Sequence, residues 1–161
     1  MSTYNLVARN ESVSQKWAEP VSIGEATQVT VIRSVNADRN RLFQALSLGE
    51  YIDAWFAAPG SVPGSTSVAM KPDCFLIRYD RSEGGQERFI GSYKVLRRSK
   101  VQFSWKREGL QQASSSLVKI RLQGDFGRTT VHLTHVGLSE PEQSWYRQLW
   151  EASLERLAGL F

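Results

Sequence analysis

Apolar and polar residues alternate along the first patterned stretch of the chain, from Gln28 to Val35. Val29, Val31 and Val35 fall on one side of an extended backbone, and this period of two is typical of a half-buried β-strand. Arg33 falls on the same side. We therefore expect Arg33 at an edge or an end of a sheet, where its aliphatic stem covers the core and its guanidinium group stays in water.

Helical spacing replaces the alternation after this strand. A first short helix is predicted over residues 38–46, with Asn36 and Asp38 supplying capping side chains. A second short helix carries four apolar residues on one side, namely Tyr51, Ile52, Trp55 and Phe56. Pro59 stops this helix. The stretch 59–67 is rich in Pro, Gly and Ser, and it predicts an irregular loop in the position of a lid.

The middle of the chain alternates again, and the predicted strands are 68–71, 74–79, 87–96, 101–107, 116–123 and 128–136. None of the separators is long enough for the crossover helix that a parallel pair needs, so the sheet is predicted to be an antiparallel meander. The alternation assigns these side chains to the face that packs on the core: Phe89, Gly91, Tyr93, Val95, Val101, Phe103, Trp105, Val118, Ile120, Leu122, Thr129, Val131, Leu133 and His135.

A long helix is predicted at the end of the chain. Ser139 and Glu142 have the spacing of a capping box, and an apolar stripe follows at Tyr146, Trp150, Leu154, Leu157 and Phe161. The order of elements predicts one α+β domain over residues 27–161, in which this helix packs across the concave face of a curved antiparallel sheet. Residues 1–26 show no sustained period and are predicted to be an extension that contributes at most one short strand.

Composition narrows the class of protein. With 161 residues, 41% of them hydrophobic, the chain is typical of a single globular domain. Its single cysteine, Cys74, excludes an intramolecular disulfide and a multi-thiolate metal site, and we expect a cytoplasmic protein. No apolar run approaches the ~20 residues that cross a bilayer, so no membrane insertion is expected. The net charge of +4 is modest for a nucleic-acid binder, and we expect neither that partner nor a cofactor.

Seven segments together resemble a known family: VTVIRSVNADRNRLFQAL, YIDAWFAAP, GSYKV, VQFSW, LVKIRL, TTVHLTHVG and WEASLERL. In this order and spacing they are similar to the domain shared with the activator of the heat-shock-protein-90 ATPase, in the START-like (SRPBCC) superfamily. The resemblance covers residues 28–161. Asp38 departs from it where the family often has proline, and Asp73 and Cys74 replace a common glycine pair, which can reshape one wall of the interior.

The resemblance implies a helix-grip fold, with a hydrophobic cavity between the sheet and the C-terminal helix. The aromatic inward rows agree with such a cavity, because Tyr and Trp combine a large apolar body with a polar tip. We therefore expect a domain that binds an apolar or aromatic small molecule, such as a lipid. The candidate cavity residues are Trp55, Phe75, Tyr93, Trp105, His135, Trp150 and Leu154.

Three alternatives stay open at this point. The same aromatic residues fit a filled core equally well. A partner-binding accessory factor, resembling the chaperone activator, would use surface contacts with a chaperone or with a second copy of the chain. An enzyme, such as the polyketide cyclases or hydrolases of other START-like branches, would need His135 and a second polar group in the cavity; no catalytic residue is assigned, and the sequence favours a binding module over an enzyme.

The two histidines and one basic hairpin carry the remaining candidate chemistry. His132 and His135 lie three positions apart on one strand, on opposite faces, so they do not form a metal pair. His135 is either an acid or base in the cavity or is hydrogen-bonded to a hydroxyl such as that of Tyr93. The basic hairpin is either a surface for an acidic or phosphate-bearing partner or simply solvated, and it comprises Lys94, Arg97, Arg98, Lys100, Lys106 and Arg107.

Overall fold

The structure, a computed structural model, describes residues 28–108 and 115–161. The predicted N-terminal extension, residues 1–26, lies outside the described residues. Three helices are present in the described ranges: α1 (Arg39–Ser47), α2 (Gly49–Trp55) and α3 (Glu140–Gly159). The strands are β1 (Gln28–Val35), β2 (Ser67–Met70), β3 (Cys74–Asp80), β4 (Gln86–Arg97), β5 (Lys100–Arg107), β6 (Ser116–Asp125) and β7 (Arg128–Val136).

All seven strands form one antiparallel sheet, as the short connections predict. The order of strands is β1-β7-β6-β5-β4-β3-β2, so β2 to β7 form a meander and β1 pairs with the last strand. Strand β1 is therefore an edge strand. Arg33 lies on it, as predicted, and its Nη2 is 3.5 Å from Oε1 of Glu155 on α3.

A β-bulge interrupts the pairing of β4 with β5. Tyr93 lies opposite Phe103, but the next pair is Val95 with Gln102, so Lys94 is an extra residue in β4. Directly opposite residues share a face of the sheet. Val95 therefore lies with Gln102 on the face turned away from the core, and the prediction that Val95 points inward was wrong. Simple alternation does not reveal an inserted residue.

The helices begin where their capping residues predict. The Asp38 carboxylate accepts a hydrogen bond of 2.9 Å from the backbone N–H of Arg41, at the start of α1. At the start of α3, the Glu142 carboxylate accepts a hydrogen bond of 2.9 Å from the backbone N–H of Ser139. Helix α2 ends at Trp55, so Phe56 lies outside it with extended backbone. Phe56 is thus the first residue of a loop rather than a residue on the helix.

Helix α3 packs across the face of the sheet that carries the core, here called the inner face. Its buried side chains are Tyr146, Leu149, Trp150, Ser153, Leu154 and Leu157. It reaches from β1 to β4, where the Trp145 ring is 6.1 Å from the Phe89 ring. This arrangement confirms the predicted α+β helix-grip fold. Although α3 is 20 residues long, no helix in the described part of the chain is long and apolar enough to cross a membrane.

The turn between β6 and β7 carries an aromatic residue with strained backbone. Phe126 has φ of 46°, Gly127 has φ of 81°, and the Phe126 side chain is 99% exposed. Because asparagine tolerates the left-handed region and Asn-Gly suits this two-residue turn, Phe126→Asn is expected to raise the free energy of unfolding by about 1 kcal/mol. Thermal unfolding measures this, as a rise of roughly 2–4 °C. A fall in stability would mean that the ring has contacts of its own.

Candidate functional site

Most of the residues that line the space between the inner face and α3 are aromatic. Trp105 lies on the sheet side of this space, stacked on Phe89 at 4.9 Å and edge-on to Trp150 at 5.4 Å. This arrangement follows from the alternation of side chains along each strand, because Trp105 and Phe89 occupy inward positions of neighbouring strands. Phe75 fits against Gly91 of the adjacent strand, where any side chain would collide with the Phe75 ring.

Phe56 fills the middle of this aromatic space. Its ring lies 6.0–6.5 Å, centre to centre, from five other rings, and its side chain is 1% exposed. Those five rings belong to Trp55, Tyr79, Phe89, Trp105 and Trp150. A residue at the start of a loop, rather than one from a strand or helix, therefore occupies the position where the sequence predicts a cavity.

The space that is left beside Phe56 measures about 10 Å³. That volume is about the minimum for a single water molecule, so no ligand-sized space is open here in this structure. Five of the predicted cavity residues line it, namely Trp55, Phe75, Tyr93, Trp105 and Trp150, and the structure brings these five together. His135 and Leu154 are also buried but do not line this space.

His135 is held in a chain of hydrogen bonds behind Trp150. Its Nδ1 accepts a bond of 3.0 Å from the Trp150 indole N–H. Since an indole only donates, the proton of a neutral His135 is on Nε2, which donates to the Ser116 hydroxyl at 2.7 Å. That hydroxyl donates to the backbone carbonyl of Trp105 at 3.2 Å. The hydroxyl partner of His135 is thus Ser116, not Tyr93.

The chemistry of His135 follows from this burial. Loss of solvent around the ring lowers the pKa of His135 from 6.5 to about 3, and both ring nitrogens already have partners. The imidazole is therefore neutral at ordinary pH, with no nitrogen free for a substrate. His132 lies on the opposite face of β7, and no group of three His, Cys, Asp or Glu residues within 28–108 and 115–161 has the arrangement of a metal site.

The Tyr93 hydroxyl is the polar group of this lining that lacks a partner among the described residues. The three indoles beside it are all engaged: Trp55 donates to the Ala45 carbonyl at 2.7 Å, Trp105 to the Tyr146 hydroxyl at 3.2 Å, and Trp150 to His135. Burial raises the pKa of Tyr93 to about 12, so its hydroxyl keeps its proton and can donate a hydrogen bond.

The buried carboxylate of Glu87 forms ion pairs with the partly exposed Arg81 and Arg107 beside the aromatic space, and these pairs were not predicted from the sequence. The Glu87 carboxylate, on a residue 7% exposed, accepts hydrogen bonds from Arg107 Nε at 2.9 Å, from Arg107 Nη2, and from Arg81 Nη1 at 3.2 Å. The hydrogen bonds from Arg107 hold the pKa of Glu87 below its usual value. Alternation could have revealed it, because Glu87 is two positions before Phe89 and so belongs to the same inward row.

A separate surface groove lies between α1, α2 and the end of α3. It has a volume of about 280 Å³ and is lined by Arg41, Gln44, Ala45, Tyr51, Ala54, Leu160 and Phe161. The Arg41 guanidinium lies over the Phe161 ring, 4.8 Å from its centre. The sequence pattern does not predict this groove.

Several solved structures share this fold. Protein CV1439 from Chromobacterium violaceum aligns with a TM-score of 0.72 and 16% identity over 83% of this chain and 96% of that one. A Rhodobacter sphaeroides protein aligns with a TM-score of 0.68 and 19% identity, over 86% and 93% of the two chains. The AHSA1 protein from Silicibacter pomeroyi gives 0.67 and 17%, over 82% and 95%. At these identities, the likeness establishes the fold alone.

The family is established by the sequence itself. A comparison with curated proteins found no match. A family model does match residues 36–161, which begin directly after β1 and include every other element of the fold. Its description is "Activator of Hsp90 ATPase homolog 1-like protein", which confirms the START-like resemblance, and the chain therefore belongs to this family.

Proposed function

We propose that this protein binds an apolar or aromatic small molecule between its sheet and α3, in the space that Phe56 fills in this structure. The observation that carries the proposal is the position of Phe56 among five aromatic rings. A planar apolar ligand would replace its contacts ring for ring. Such a site is apolar with few polar groups, as most small-molecule sites are.

The segment that carries Phe56 is a loop, residues 56–66, here called the lid. The lid is tied to α3 by a hydrogen bond of 2.9 Å from the Ala57 N–H to the buried Ser153 hydroxyl. It is tied to β3 by a bond of 2.8 Å from the Val62 N–H to the Asp80 carbonyl. Because no strand or helix is broken when a loop moves, displacement of the lid is the least costly way to withdraw Phe56.

The unpaired hydroxyl of Tyr93 supports a preference within this ligand class. A buried hydroxyl without a partner costs free energy that a ligand recovers by accepting its hydrogen bond. We therefore infer that the ligand has one hydrogen-bond acceptor on an otherwise apolar body. No observation favours a catalytic role for His135, because both of its ring nitrogens are occupied and its pKa is about 3.

Two probes test this proposal: 1-naphthol, which offers a hydroxyl oxygen, and naphthalene, which does not. The protein is expected to bind 1-naphthol saturably, about three- to tenfold more tightly than naphthalene, since that is the range of one net hydrogen bond. In Tyr93→Phe the two affinities are expected to become nearly equal. Tryptophan fluorescence follows binding directly, because Trp55, Trp105 and Trp150 all line the site.

Tyr51→Phe is the matched control, because it removes the same atom from the surface groove beside Arg41. It is expected to leave both affinities unchanged. If Tyr51→Phe rather than Tyr93→Phe removes the preference for 1-naphthol, the probe binds in the surface groove and the proposal is wrong. Failure of both probes to bind saturably also contradicts it.

A further inference from the structure

The face of the sheet turned away from the helices, here called the outer face, carries cations directly opposite one another. Arg97 lies opposite Lys100, and Lys100 lies opposite Arg121 on the next strand. These three residues form a row, here called the cationic row, and His132 continues it on β7. Like charges in directly opposite positions destabilise a sheet, so folding alone does not favour this arrangement.

Carboxylates are almost missing from four adjacent strands of the sheet. The four adjacent strands β1, β5, β6 and β7 contain one acidic residue, Asp125, which lies at the far end of its hairpin opposite Arg128. By contrast, the two arginines of these strands that point inward have carboxylate partners: Arg33 with Glu155 and Arg107 with Glu87. No ion pair within the described residues involves the cationic row. Within these four strands, the cations that form no ion pair therefore lie on the outer face.

The surroundings of the cationic row fit a lipid surface better than a nucleic acid. A groove of about 350 Å³ is lined by Lys100, Gln102, Lys119, Ile120, Arg121, His132 and Thr134. An exposed aliphatic side chain flanks it, because Ile32 is 57% exposed and lies opposite His132. The outward positions of β1 and β3–β7 carry no Phe, Tyr or Trp side chain on which a base could stack, and His132 is the one aromatic ring among them.

We propose that the outer face docks on the surface of an anionic lipid bilayer, with the cationic row and Lys119 on lipid phosphates. The exposed row of charges complements an anionic surface, and Ile32 beside it can reach the boundary of the acyl chains. No segment inserts across the membrane in this arrangement. The inference goes beyond the proposed ligand site, which lies on the other side of the sheet, and does not depend on it.

Sedimentation with vesicles tests the proposal on the whole chain. Binding is expected to vesicles that contain phosphatidylglycerol and to be lost on vesicles of phosphatidylcholine alone. The triple variant Lys100→Gln, Lys119→Gln, Arg121→Gln is expected to bind on the order of 100-fold more weakly, at about fivefold for each charge. Raising the salt concentration is expected to weaken wild-type binding, because the contacts are exposed.

The matched control is the triple variant Lys71→Gln, Arg39→Gln, Arg156→Gln, which removes the same number of exposed charges away from the outer face. It is expected to bind anionic vesicles within a few-fold of wild type, and unfolding midpoints verify that both variants fold. Equal loss in the two variants would overturn the proposal, since net charge alone would then explain binding. Tighter binding to an oligothymidylate than to the vesicles would overturn it in favour of a nucleic acid.

Discussion

Phe56→Ala is expected to lower the free energy of unfolding by about 3–5 kcal/mol, the usual cost of removing a buried phenylalanine ring. The reason is the position of Phe56, which is 1% exposed and surrounded by five aromatic rings. Urea denaturation measures the change as a lower midpoint. Phe126→Ala is the matched control, because it removes the same ring from a position 99% exposed and is expected to cost little.

The cavity that Phe56→Ala leaves also reports on the proposed site. An apolar cavity of this kind remains dry and can bind benzene, so benzene is expected to raise the unfolding temperature of Phe56→Ala but not of Phe126→Ala. Binding of 1-naphthol is expected to tighten as well, because the ligand no longer has to displace the ring. A loss of stability below about 1 kcal/mol would show that Phe56 does not fill the interior in solution.

A second large effect is expected from acid. The pKa of His135 is about 3 in the folded protein and near 6.5 in an unfolded chain, so the unfolded state binds the extra proton as the pH falls below 6.5. Stability is therefore lost on acidification between pH 6.5 and 3. The loss from pH 6.5 to 4.5 is expected to be roughly 2–3 kcal/mol. Chemical denaturation at a series of pH values measures it.

Two variants separate His135 from other titrating groups. His135→Gln keeps a neutral acceptor and donor in the buried position and is expected to flatten this pH dependence. His132→Gln, on the other face of β7, is expected to retain it. Glu87 affects the free energy of unfolding only at lower pH. Its pKa in the folded protein is depressed below 4.5, and the stability that it contributes is lost as the pH falls through that lower value. A flat profile for wild type between pH 6.5 and 4.5 would contradict the burial of His135.

The strands and α3 were predictable because their signals are local. Alternation defined β1 and the meander, and the capping box with its apolar stripe defined α3 within a few residues. Two predictions for single residues were wrong, because regular spacing reveals neither an inserted residue nor the residue at which a short helix ends. Val95 moved to the outer face because of one inserted residue, Lys94, and Phe56 left its predicted helix to enter the core.

The sequence also predicted which side chains of the candidate site point toward the interior. Trp55, Phe75, Tyr93, Trp105 and Trp150 meet in one place, as their rows predict. The hydrogen bonds of His135 to Ser116 and Trp150 join residues 19 and 15 positions away, and periodicity contains no information about such pairs. The same holds for Glu87 and Arg107, which meet across a hairpin.

By itself, the sequence determined the antiparallel sheet, the long helix and which side chains turn toward the core, because those properties depend on repeated spacing along one segment. Tertiary structure alone decided that Phe56 occupies the centre of the aromatic space and that the remaining volume is about 10 Å³. Whether the aromatic space is filled depends on the volumes of side chains from separate elements and on how closely those elements approach one another. Because protein interiors are closely packed, one additional ring is enough to fill the space. The tertiary structure also decided where the unpaired charges of the outer face lie, since only strand register places Arg97, Lys100 and Arg121 side by side.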